Sequence, residues 1–132
     1  MKTYIVLIIS VFSFIYLNCR PEANQKLEPS FSSISRNIFI KKCSLYTCHS
    51  SASFEKSGNL DLSDKESYNN LINFPSSSYP EIKRIVPGKP DESLLLQRLE
   101  GKVIIGVPLE RNCVTKKEIE TIREWIKNGA KP

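Results

Sequence analysis

Beyond residue 17 the sequence has no long apolar run, no internal repeat and no stretch with the period-two alternation of a half-buried strand. The first absence leaves no membrane span in the body of the chain, and the last argues against a β-rich fold. Histidine and methionine occur once each, as His49 and Met1. A single histidine excludes multi-histidine metal sites. A structural zinc centre on it would have to recruit Asp61 or Cys113 from afar. Basic residues exceed acidic ones, with a formal net charge of +5, but they are scattered and lack interleaved aromatics. That pattern describes a solvated surface and points away from nucleic acid. An anionic protein partner or cofactor is the sharper reading of the excess.

What is present begins at the N-terminus. Lys2 precedes residues 4–17, which are apolar apart from Ser10 and Ser13. This run suits a signal peptide and falls short of the roughly 20 residues of a membrane span. It ends in "IYLNCR", so residues 1–18 read as a lipoprotein signal with Cys19 as the lipid attachment site. Tyr16 and Asn18 depart from the strict signal, which carries Leu and a small residue there. Residues 19–33 are polar, contain Pro21 and Pro29, and read as a flexible tether. The folded domain is expected over residues 34–132, in the bacterial cell envelope and facing the periplasm or exterior.

Four helices are expected there. The first is "SISRNIFIKK", capped by Ser33 or Ser35, with Ile34, Ile38 and Phe39 on one face. The second follows a capping-box spacing at Ser63 and Glu66, and Pro75 stops it. The third starts at Asp91 after Pro90, buries Leu95, Leu96 and Leu99, and ends at Gly101. The fourth has a capping box at Thr115 and Glu118, an Ile119–Ile122–Ile126 stripe beside Trp125, and a stop at Asn128–Gly129. Pro87 and Gly88 suit the two centre positions of a type II turn. The fold class is therefore mostly α, with long loops between short helices.

Chemistry concentrates in "KKCSLYTCHS". Covalent haem attachment needs two thiols for the porphyrin vinyl groups and a histidine directly after the second, usually as C-x-x-C-H. Cys43, Cys48 and His49 give C-x4-C-H, so two extra residues must bulge outward. A Cys43–Cys48 disulfide beside an incidental histidine is the competing reading, and an exported chain permits either. Nucleophilic catalysis is disfavoured, because adjacent Cys48 and His49 are badly placed to face each other.

Five pieces occur in order across residues 34–130: "NIFIKKCSLYTCHS", "GNLDLSDKESYNNLI", "RIVPGKPDESLLLQRLEG", "GVPLERN" and "KKEIETIREWIKNGA". Together they resemble the small cytochrome c-like domains of bacterial exported proteins and lipoproteins. The resemblance implies haem c, with thioethers on Cys43 and Cys48 and His49 as the iron ligand. It implies that the Pro87 carbonyl receives the other nitrogen of His49, that Arg84 faces a propionate, and that Phe39 and Trp125 pack where the first and last helices cross. The implied function is electron transfer with a redox partner protein and no substrate turnover. Where such domains carry a distal methionine, this chain has Val107 before Pro108. Five-coordinate iron that senses small ligands, an alternative ligand such as Lys102 or Cys113, and a haem-free, disulfide-stapled interaction lipoprotein all remain open.

Overall fold

The computed structural model describes residues 26–45, 48–63, 67–103 and 113–132. The signal peptide, Cys19, Thr47, Glu66, Val107 and Pro108 lie outside them. The described chain is mostly helical, and its only β pairing is two isolated bridges, Ile72 with Ile85 and Pro75 with Lys83.

The first helix, α1, starts as Phe31–Ile34 and continues as a π-helical segment, Ser35–Cys43. Its cap is Ser30, whose hydroxyl accepts the Ser33 N–H at 3.4 Å. Neither Ser33 nor Ser35 serves, so the helix begins inside the span read as tether. The wide winding shows in the Ser44 N–H, which bonds the Phe39 carbonyl five residues back at 2.7 Å. At 3.6 residues per turn, Cys43 would face away from Ile34. At the roughly 4.4 residues of a π turn, positions 34, 38, 39 and 43 share one face. Ile34, Ile38 and Phe39 are buried there, and Cys43 packs against the same core.

Helix α2 is Ser67–Leu71. It ends before Pro75, because Asn73 takes a left-handed conformation with φ 54°. The chain then pairs with residues 82–85 through bonds such as Ile85 N–H to Leu71 carbonyl (3.1 Å) and Arg84 N–H to Phe74 carbonyl (2.8 Å). Pro87 and Gly88 form the expected turn, with Gly88 at φ 78° and the Lys89 N–H on the Val86 carbonyl at 3.0 Å. Asp91 does not start the third helix. Pro90–Glu92 is a separate 3-10 turn, and α3 runs Leu94–Leu99 from Ser93. The Ser93 hydroxyl is occupied by the Lys89 carbonyl (2.9 Å) and the Val86 N–H (2.9 Å), so it ties the turn and does not cap the helix. Leu96 is the fully buried leucine of α3 and Leu94 is nearly so, while Leu95 and Leu99 pack at the core edge.

Helix α4, Lys116–Lys127, has the full capping box at Thr115 and Glu118. It closes with Gly129 N–H on the Ile126 carbonyl and Ala130 N–H on the Trp125 carbonyl, a Schellman pattern allowed by Gly129 at φ 93°. Its Thr121–Ile122 and Trp125–Ile126 pairs face the core. Trp125 meets Phe31 of α1 with ring centroids 5.8 Å apart, and Phe31 stacks edge-on against Tyr68 at 5.0 Å. Phe39 is buried in the same core, but Phe31 makes the ring contact between first and last helices.

Candidate functional site

Cys43 ends the π segment, and the chain turns back at once. The Cys48 N–H bonds the Leu45 carbonyl at 2.8 Å, and the His49 N–H bonds the Cys43 carbonyl at 2.9 Å. Both cysteines and the histidine therefore belong to one closed loop at the end of α1. The hydroxyls of Ser53 and Ser57 donate to the Cys48 carbonyl, which folds the following 3-10 turn, Phe54–Ser57, under the loop.

His49 is held by the segment after that turn. Its Nδ1 lies 3.1 Å from the Leu60 carbonyl, and its own carbonyl accepts the Leu62 N–H at 2.8 Å. A carbonyl can only accept, so Nδ1 carries the proton and Nε2 keeps its lone pair. Burial lowers the His49 pKa from its ordinary 6.5. The Leu60 carbonyl opposes this, and the Arg84 and Arg98 charges add to it. The imidazole is thereby kept neutral, the form that binds a metal.

The receiving carbonyl is thus Leu60, not Pro87. The turn that carries Pro87 docks on the end of α4, through the Gly88 N–H and the Ile126 carbonyl at 2.8 Å. The "GNLDL" stretch was the signal for Leu60. Nothing local in it says which of its carbonyls turns inward.

Arg84 is only 5% exposed. Its Nη1 donates to the Asn70 carbonyl at 2.7 Å, and its Nη2 to the carbonyls of Gly58 (2.7 Å) and Asn59 (3.1 Å). The guanidinium lies over the Phe74 ring, 4.7 Å from its centroid. Burial pulls its pKa below the ordinary arginine value. The residue expected opposite a propionate is therefore a buried clamp on backbone carbonyls.

Cys43, Cys48 and Cys113 are half-buried, and no disulfide joins any two of them. The Cys43 pKa is pushed up to about 12, first by burial and then by the charges of Cys113 and Cys48. Cys113 precedes α4, whose Glu118 is bridged to Lys42 at 2.8 Å, and this brings it toward Cys43. The other proposed alternatives are engaged. Lys102 pairs with Glu100 at 2.7 Å, and Asp61 accepts the Ser63 N–H at 2.8 Å. Among the described residues no three of His, Cys, Asp and Glu gather as a metal site, and no helix is long and apolar enough to cross a membrane. The loop carries one imidazole and two thiols, a set that would hold covalent haem through a single protein ligand. Compared with protein-family models, curated proteins and solved structures, the chain matches none of them.

Proposed function

We propose that this chain carries haem c and transfers single electrons at the outer side of a bacterial membrane, to which a lipid on Cys19 tethers it. Cys43 and Cys48 are the thioether attachment points, and His49 is the axial ligand through Nε2. The observation that carries this reading is the 3.1 Å contact between Nδ1 of His49 and the Leu60 carbonyl. It leaves the opposite nitrogen with its lone pair, within the same loop as the two thiols. When bound, the haem supplies the one-electron couple. The chain's own residues do the rest. Leu60 fixes the tautomer and ring orientation, burial keeps the imidazole neutral, and the π winding turns Cys43 toward the core. No substrate turnover is proposed. The redox partner would meet this end of the molecule, where Leu45 is 52% and Ile40 45% exposed beside Lys41.

The test is expression of the full chain with a c-type maturation system, followed by absorption and mass spectra. A Soret band and a mass increase of one haem are expected, and Cys43→Ser with Cys48→Ser removes both. Neither signal in the unmodified chain would leave the haem-free, disulfide-stapled interaction module. Since Val107 stands where a methionine ligand is expected, carbon monoxide should shift the reduced spectrum. That shift marks an open distal side, whereas an unchanged spectrum marks an internal distal ligand.

A further inference from the structure

We infer that Arg84 is a positioning residue for His49: its guanidinium clamps Gly58 and Asn59 to α2 and so holds the Leu60 carbonyl against Nδ1. The fork joins two segments distant in sequence. Nη1 reaches the Asn70 carbonyl in α2, and Nη2 reaches the two consecutive carbonyls of Gly58 and Asn59. Both loop residues are left-handed, with φ 72° and 52°. Asn59 is among the few non-glycine residue types that tolerate this conformation. It is what turns two successive carbonyls toward one nitrogen. Peptide units are planar, so fixing those carbonyls leaves only the dihedrals of Leu60 to aim the next carbonyl. From the far side, the Leu62 N–H on the His49 carbonyl closes the grip at 2.8 Å.

Arg84 is itself held. Its N–H bonds the Phe74 carbonyl at 2.8 Å, its guanidinium rests on the Phe74 ring, and Ile85 next to it is fully buried. No described acidic side chain ion-pairs with it. Burying a cation is expensive, so a plain loop tie would more cheaply use a neutral donor. The planar fork supplies what a neutral donor lacks, namely several donors at fixed angles. The Gly58 carbonyl also accepts from the Ser77 hydroxyl at 2.8 Å, but that exposed contact does not reach Asn59.

The consequence at the iron rests on the haem reading, but the clamp is tested without haem. The probe is the haem-free, 15N-labelled full chain, with the His49 tautomer read from long-range proton–nitrogen correlations. The unmodified chain is expected to show the Nδ1–H form. Arg84→Lys keeps the charge and removes the fork, and should convert this to a mixture with the Nε2–H form. Ser77→Ala should leave it unchanged. An Nδ1–H tautomer that persists in Arg84→Lys with native near-ultraviolet circular dichroism overturns the inference, as does its absence from the unmodified chain. Should Arg84→Lys fail to fold, Phe74→Ala decides. Phe74 is 42% exposed, so its loss is tolerable. A smaller shift in the same direction is expected, and no shift overturns the clamp. Failure of the haem reading appears separately, as a missing Soret band.

Discussion

Lys42 and Glu118 lie 2.8 Å apart and tie the end of α1 to the start of α4. Glu118 also receives the Thr115 N–H at 2.7 Å as the second half of the capping box. One carboxylate therefore anchors a helix start and a contact between the first and last helices. Glu118→Gln keeps an oxygen for the Thr115 N–H and loses the ion pair to Lys42, so it is expected to cost up to about 1 kcal/mol. The shift in urea midpoint at constant slope measures it. Burial works to raise the Glu118 pKa, but hydrogen bonds from Lys42 and Thr115 outweigh it and lower the value below 4.5. A depressed carboxylate contributes stability above its unfolded pKa and loses it as pH falls through the folded one. The unmodified chain should thus lose stability below about pH 4.5 more steeply than Glu118→Gln.

Cys43 gives the opposite pH signature. Its thiol is raised to about 12, chiefly by burial, with Cys113 and Cys48 adding to the effect. In the haem-free chain, alkylation of Cys43 near pH 8 should be on the order of a thousandfold slower than in urea, since only the thiolate reacts. Peptide mass mapping over time checks this. The raised pKa also contributes stability below the unfolded value of 9.0, lost as pH climbs toward 12.

Trp125 is 2% exposed, meets Phe31, and donates its indole N–H to the Lys131 carbonyl at 2.8 Å. Trp125→Ala should cost about 3 to 5 kcal/mol, enough to unfold a marginal domain. Tyr68→Phe removes only the hydroxyl bond to the Ala130 carbonyl (2.9 Å). It should cost about 1 kcal/mol. Thermal melts followed by circular dichroism would rank the two.

Gly88 has open space around its Cα, so added volume is harmless there. Its φ of 78° is the obstacle. Gly88→Ala should destabilise by about 1 kcal/mol through backbone strain alone, and a urea titration would show it.

The sequence by itself determined the features governed by neighbours in the chain. Thr115 and Glu118 are three residues apart and cap α4. Asn128–Gly129 ends that helix, because Gly129 has no Cβ to oppose a positive φ. Pro87–Gly88 makes its turn for the same reason. Cys43, Cys48 and His49 share a loop because they share a short stretch. Tertiary structure decided the rest. The π winding that brings Cys43 onto the Ile34 face depends on a core pulling that face inward. Helix propensity alone would have left the cysteine on the other side. Phe31 belongs to the domain only because Trp125 and Tyr68 receive its ring. Arg84 carries no sequence mark of burial. It is buried because packing brings the Asn70, Gly58 and Asn59 carbonyls together around one guanidinium. The partner of His49 was decided in the same way. Several carbonyls lay within plausible reach, and the orientation of one peptide unit in a clamped loop chose Leu60 over Pro87.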